Sequence, residues 1–525
     1  MAGGRAPRVL ILLCILHLHC LQGAKILTVC LAGGSHYLFM DDASRIFIDN
    51  GHDVRMFRQI GNGTTPGYEM TSTPYPVTTY TLDDKYLKEF DKMFEQSQKE
   101  YFTGNSGFTS YFTLMDFLAE QCQATMNRTD IFDFLNQEKF YIVILEAFNP
   151  CAFFVAEKLG LPYVALFTGG FINFMSVGLP SPPSYVPMFP SGLTNRMNFL
   201  ERVKNTFMYL GTYVMDKIVE SIFSRVSEAH FPVDSRPSLL ELHRKAELWF
   251  YNVDFSMEFA RPLLPHVHCI GGLRAKPAKP VSQDLEDFIA ESGDSGFVVV
   301  TLGSMISSIP ITDILREMNS AFASVPQKVI WRYKASQWPE DLKLAPNVKL
   351  MDWVNQNDLL GHPKMRLLVT HGGLNSLMEA IYHGVPVLGI PLFGDQPDNL
   401  VKIKAKLMGE YILPYEITSD KFAGAIHRVI ENKSYKTAAM KQSVIMRSRP
   451  FPPDQQLLGW VEHIIRSGGG GHLRPYSYQQ PWYQQLLLDV ILFIFSCVAL
   501  IIYIIVKVIR FLIHLLCNRK KQKQN

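Results

Sequence analysis

Between Val490 and Val506 the chain carries no charged residue. With the flanking apolar residues 486–488 and Val508, and Asp489 near one border, the stretch is long enough to cross a bilayer at about 1.5 Å per residue. Trp482 and Tyr483 stand just ahead of it, where interfacial aromatics sit. Lys507, Arg510, Arg519, Lys520, Lys521 and Lys523 follow it, and the positive-inside rule puts such a tail in the cytosol. A long buried core helix explains poorly an apolar run that ends in so many basic residues. A transmembrane helix over 486–508 and a basic cytosolic tail over 509–525 are expected.

The other end has a different pattern. Arg5 and Arg8 precede an apolar run over 9–21, and the small residues Gly23 and Ala24 come next. This is the layout of a cleaved signal peptide, expected over 1–23. Everything between the two ends then lies in the lumen, as a single-pass type I membrane protein. Lys521 and Lys523 match a dilysine retrieval pattern, which favours the endoplasmic reticulum over the cell surface. Asn62, Asn127 and Asn432 each head an Asn-x-Ser/Thr glycosylation acceptor, which suits a lumenal body. Cys30, Cys122, Cys151 and Cys269 remain in an oxidising compartment, but their wide spacing shows no metal-ligand pairs. Buried free thiols are expected there rather than a disulfide framework. Lys and Arg total 51 against 48 Asp and Glu, so no basic field marks nucleic acid as a partner.

At 525 residues the chain exceeds one ordinary core. A strand over 25–31, the turn Gly33-Gly34-Ser35-His36, a helical segment and a strand over 54–57 read as the opening of a right-handed parallel unit. A strand over 141–145, a helix over 151–158 and a strand over 161–167 continue it. A proline-rich stretch over 179–187 interrupts regular structure. After it, Phe199, Val203, Phe207, Leu210 and Val214 recur at helical spacing. Such a stripe is expected in the core, with the membrane surface or an acceptor channel as the alternative. Gly271-Gly272 and the run Lys276-Pro277-Ala278-Lys279-Pro280 mark a linker. Beyond it strands recur over 296–302, 328–333, 348–351, 367–370 and 385–392. The expected fold is α/β, with two Rossmann-like domains, 24–275 and 276–485, facing across a cleft.

In open parallel sheets ligands bind beyond the carboxyl ends of the strands. Four strand ends in the second domain carry unusual residues: Gly303-Ser304, the run 352–356, His371-Gly372-Gly373, and Phe393-Gly394-Asp395-Gln396. The His371 turn opens a helix near Asn375, whose free N–H groups suit phosphate. Glu379 lies four residues on, on the same helical face, where a carboxylate can accept from ribose hydroxyls. Neither a Walker loop nor a Gly-x-Gly-x-x-Gly fingerprint is present.

Trp353-Val354-Asn355-Gln356 through Asp395-Gln396 resembles the signature of the UDP-glycosyltransferases, the group that includes the glucuronosyltransferases. His362-Pro363, the run 370–373, Ser376, Glu379-Ala380, the run 384–386 and the run 390–393 belong to the match. A weaker resemblance extends over essentially the whole chain, most of all to the third vertebrate family of these enzymes. It implies a GT-B-like fold and a UDP-sugar donor as co-substrate, with no cofactor and no metal. Trp353 would stack on uracil, Gln356 and Glu379 would hold the ribose, and Ser304, His371, Asn375 and Ser376 would contact the diphosphate. Asp395 and Gln396 would bind sugar hydroxyls. Asn355 replaces a proline of the family pattern.

Gly34-Ser35-His36 resembles the family's catalytic histidine motif, with His36 as the general base that takes the acceptor's proton. Displacement at the anomeric carbon would invert its configuration, on small lipophilic acceptors made more water-soluble. The family's orienting aspartate is matched here by Glu146, one methylene longer. A second function class follows from that difference: a catalytically weak partner that binds UDP-sugar and associates with active relatives. Homo- or hetero-oligomers with relatives fit either class. The donor sugar is left open among glucuronic acid, glucose, N-acetylglucosamine and xylose. A dinucleotide oxidoreductase is set aside, because residues 32–36 lack the required glycine pattern.

Overall fold

The computed structural model describes residues 23–61, 73–104, 107–171, 175–304, 306 and 309–522. The expected signal segment up to residue 22, the acceptor Asn62 and the tail residue Lys523 lie outside them.

The first sheet is built from β1 (Lys25–Cys30), β2 (Asp53–Gln59), β3 (Val77–Tyr80), β4 (Ile142–Glu146), β5 (Tyr163–Phe167), β6 (Trp249–Tyr251) and β7 (Val267–Cys269). Its spatial order is β3-β2-β1-β4-β5-β6-β7, with every described pair parallel. β4 and β5 are buried along their whole length, as central parallel strands covered on both faces must be. The second sheet holds β8 (Phe297–Thr301), β9 (Lys328–Arg332), β10 (Val348–Met351), β11 (Met365–Thr370), β12 (Val387–Gly389) and β13 (Gly409–Tyr411). Its order, β10-β9-β8-β11-β12-β13, is again all parallel. Each sheet therefore reverses direction of growth once, between β1 and β4 and between β8 and β11, which is where a doubly wound sheet opens a ligand crevice.

The two halves are not separated in space as they are in sequence. Leu457, Val461 and Ile464 of the helix Pro453–Ser467 share one apolar face and are fully buried. They join Ile26, Phe39 and Phe47 in a single cluster, so the last helix of the body covers the first sheet. Ion pairs close the seam between the halves: Lys276 with Asp42 at 3.2 Å, Arg449 with Asp254 at 3.1 Å, and Lys402 with Glu258 at 2.6 Å.

Two expectations are corrected. Cys122 and Cys151 are joined in a disulfide, while Cys30 and Cys269 are free. Their sequence separation gives no hint of the pairing. It arises because the helix Phe108–Met126 packs against the helix Cys151–Lys158, leaving the two Cα atoms 5.2 Å apart. The apolar stripe after the proline-rich stretch is not core either. It lies on the helix Phe199–His230, where Phe199 is 68% and Phe207 69% exposed. Only the far half packs inward, through Val219, Phe223 and Val226. On the near half the inward side chain is Asn205, which accepts from Met188 N–H at 2.7 Å and donates to the carbonyls of Pro183 and Val186 at 2.8 Å. The helix thus holds the proline-rich stretch with an amide rather than with its apolar stripe.

Residues 474–522 form a separate unit. Within it Leu488–Leu516 is a 29-residue exposed apolar stretch, long enough to cross a membrane. Its helix runs on to Gln522, past the expected end at Val508.

Closing a loop across 29 residues of sequence stabilises the fold by about 3–4 kcal/mol in the chain-entropy account. Cys151→Ser is expected to lower the thermal midpoint of the detergent-solubilised chain. An unchanged midpoint, with reductant also without effect, would show that the bridge contributes nothing.

Candidate active site

Gly34 has φ 61°, in the region that favours glycine, and starts the helix Ser35–Asp49 directly behind β1. His36, the second residue of that helix, therefore sits at the carboxyl edge of the first sheet. Glu146 ends the neighbouring β4 and Thr168 follows β5, so all three meet. His36 Nδ1 lies 2.9 Å from Glu146 Oε1 and 2.7 Å from Thr168 Oγ1. The same carboxylate oxygen accepts from the Thr168 hydroxyl and from Phe148 N–H, both at 3.2 Å. Phe148 also lies against the imidazole, with ring centroids 4.9 Å apart. Glu146 is fully buried, whereas His36 keeps some exposure, and Nε2 is the ring nitrogen left for a ligand. Burial opposes a charged imidazole here. The Glu146 charge and hydrogen bond outweigh it, with help from Asp395, and hold His36 above its ordinary 6.5.

The second sheet supplies the facing wall. His371 follows β11, with its ring between two glycines: a Cβ on Gly303 or Gly373 would come within 2.5 or 2.6 Å of Nε2. Thr370 Oγ1 is 3.3 Å from His371 Nδ1. Burial, followed by the Arg332 charge, pushes His371 down to about 4, so it is neutral at physiological pH. The helix Leu374–His383 begins three residues later and carries Asn375, Ser376 and Glu379. Gln356 Nε2 donates to Glu379 Oε2 at 2.6 Å, and Ser376 donates to Gln356 Oε1 at 3.4 Å, so these three residues form one chain. Burial raises Glu379 to about 7, against the pull of Arg274 and Gln356. Trp353 is 38% exposed and has the Arg332 guanidinium 5.4 Å from its ring centre. Asn355, the proline replacement, has φ −76°, an angle proline would also adopt, so the turn is kept. Ser304 Oγ is buried without a hydrogen-bond partner among the described residues.

Asp395 directly precedes the helix Gln396–Ala405, and its carboxylate accepts from the Asn399 side chain at 2.9 Å. Burial is the largest effect on it and raises its pKa, against Asn399, Lys402 and His36. The Gln396 side-chain oxygen accepts from Leu392 and Phe393 N–H at 2.9 and 3.0 Å, which leaves its amide nitrogen for a ligand. Asp395 also lines a pocket of about 570 Å³, part of it open solvent, with Phe171, Val186, Phe189 and Phe259 among its walls. The acceptor asparagines Asn127 and Asn432 are exposed.

A family model described as UDP-glucoronosyl and UDP-glucosyl transferase matches residues 24–523. The chain belongs to this family. UDP-glucuronosyltransferase 3A1 of Xenopus laevis is 52% identical over the full length of both chains. UDP-glucuronosyltransferase 3A2 of Homo sapiens is 47% identical over 473 residues, 90% of each chain. Among solved structures, glycosyltransferase VinC in complex with DTDP aligns with a TM-score of 0.57 at 18% identity, covering 85% of this chain and all of that one. Spinosyn rhamnosyltransferase SpnG aligns with 0.56 at 15% identity, covering 84% and all. The fold is that of GT-B glycosyltransferases, and the chain is an enzyme of UDP-sugar transfer.

Sequence reasoning passed over Arg332 and Asn252, which stand at strand ends of this UDP-glycosyltransferase, and it offered Phe148 and Thr168 only as the starts of acceptor-pocket segments, 148–153 and 168–187, not as neighbours of His36. The rule that ligands gather at carboxyl strand ends would have found Thr168 and Arg332. Asn252 follows a strand of three residues, too short to show a pattern.

Glu146→Gln removes the charge that raises His36, so the imidazole should titrate at lower pH than in the wild type. Mass spectrometry of His36 after diethyl pyrocarbonate modification across pH would show it. An unmoved profile would mean that Glu146 does not set the titration.

Proposed function

We propose that this enzyme transfers its sugar with inversion, without metal or cofactor, to a hydroxyl of small lipophilic acceptors. His36 Nε2 takes the acceptor's proton as the acceptor oxygen bonds to the anomeric carbon. The bond from that carbon to the diphosphate oxygen breaks, and UDP departs. The carrying observation is the 2.9 Å contact between His36 Nδ1 and Glu146 Oε1, because it turns Nε2 outward and favours the imidazolium that forms. Developing diphosphate charge would be met by the N-terminus of the helix Leu374–His383, by a neutral His371 donating from Nε2, and by Ser304, Asn375 and Ser376. Trp353 would stack on uracil, and Gln356 with Glu379 would hold the ribose. Asp395 and the Gln396 amide would hold sugar hydroxyls. The apolar walls around Phe171 and Phe259 suit a lipophilic acceptor.

The weak-partner reading rests only on glutamate standing for aspartate. Support for an active dyad is that the longer arm still reaches His36. His36→Ala and Glu146→Gln should each lower the single-turnover rate by roughly 10²–10⁴-fold with UDP affinity nearly unchanged. Combined, they should cost no more than His36→Ala alone, since nothing is left to orient. Glu146→Asp should cost activity by shortening the arm. A gain with aspartate would favour the weak partner, and full activity in Glu146→Gln would sink the dyad.

We also place the body in the lumen of the endoplasmic reticulum, after cleavage of residues 1–23, with glycans on Asn62, Asn127 and Asn432. The helix over Leu488–Leu516 would be its anchor, and the basic tail would be cytosolic. Replacing Lys521 and Lys523 with serine should let glycans mature past the endoglycosidase-sensitive form. Persistent sensitivity would argue against the retrieval signal.

A further inference from the structure

Asn252 stands one residue past β6, almost fully buried, and no role has been assigned to it so far. Its side-chain amide nitrogen donates two hydrogen bonds. Nδ2 donates to the Thr168 carbonyl at 3.3 Å and, across the cleft, to Asn375 Oδ1 at 2.8 Å. A carbonyl can only accept, so Asn252 must turn its NH₂ toward Thr168, which settles which end of the amide is which. Asn375 is settled in the same way. Its oxygen faces the Asn252 donor, and its NH₂ faces the Ser35 carbonyl in a long contact of 3.5 Å.

Both far ends of this chain of amides lie beside the catalytic dyad. Ser35 immediately precedes His36. Thr168 lies 2.7 Å from His36 Nδ1 through its hydroxyl and donates to Glu146 Oε1 at 3.2 Å. Asn375 is the second residue of the helix Leu374–His383, which belongs to the opposite sheet. One side chain of the donor-binding half therefore touches both shoulders of the dyad, directly at Ser35 and through Asn252 at Thr168.

We propose that Asn252 is a positioning residue, a latch that brings Thr168, and with it His36 and Glu146, into register when the two halves close on each other. An amide suits this place because it bridges two acceptors without adding charge near Glu146 and Asp395. The proposal rests on the reading of His36 as base and Glu146 as its partner. Catalysis would then be completed by domain closure, so that the dyad is aligned only when the helix carrying Asn375 is docked.

The test uses the full-length enzyme at saturating donor, with single-turnover rates for Asn252→Ala, Asn375→Ala and their combination. Asn252→Ala should slow the chemical step by about tenfold, with UDP affinity within about twofold of wild type. Adding it to Asn375→Ala should cost less than about twofold more, because the shared bond is already gone. A wild-type rate in Asn252→Ala, or losses that multiply, would overturn the latch. Should Asn252→Ala no longer bind UDP, Asn252→Asp carries the test. It keeps the shape but sets acceptors against acceptors, and a wild-type rate there is equally fatal. His36→Ala in the same assay separates the two ideas. If it stays active, the dyad reading fails. If it is inactive while Asn252→Ala is not, only the latch fails.

Discussion

Parallel pairing of the central strands is the constraint on which the rest depends. Because β1 and β4 run the same way as neighbours, the residues that follow one and end the other must emerge at the same edge. His36 and Glu146 are 110 residues apart in sequence, yet the register Val29 to Leu145 brings their backbones level. The second sheet repeats the arrangement with β8 and β11, so Ser304 and His371 share an edge. Two crevices, each at the point where its sheet reverses, then make one cleft when the seam between the halves is closed.

Charge in that cleft favours a proton on one histidine and disfavours it on the other. Glu146 and Asp395 both favour imidazolium at His36, while His371 on the facing wall is held neutral by burial and by Arg332. The two histidines are thereby driven apart in proton affinity. Near Asp395, Lys402 is paired with Glu258 at 2.6 Å, both largely buried. A buried pair of this kind is weak support for stability. It does tie Lys402, on the second half, to Glu258 on the first, next to the pocket.

Much of this was legible beforehand. Strands such as β4 and β8 announce themselves by runs of four apolar residues, as strands buried on both faces do. The residues at their ends are then positioned by the pairing rule, so His36, Glu146, Ser304 and His371 could be named. β3, β6, β7 and β13 have three or four residues each and show no period. With β6 unseen, Asn252 had no strand end to stand on. The stripe from Phe199 to Val214 misled because helical spacing reveals a face but not what covers it. The Cys122–Cys151 bridge was missed because spacing carries no information about two helices that pack side by side.

Local chemistry thus determined the apolar C-terminal helix, the strand alternation, the glycine turns and the residue types gathered at the strand ends. These are properties of neighbours in sequence, set by hydrophobic period and backbone freedom. Only the tertiary structure decided which atoms meet: that the longer arm of Glu146 still reaches His36, and that Thr168 shares the contact. It also decided that Asn375 faces Asn252, and that the last helix of the body returns to the first sheet. Such choices depend on packing between distant segments, where a shift of one ångström makes or breaks a hydrogen bond and no periodicity along the chain records it.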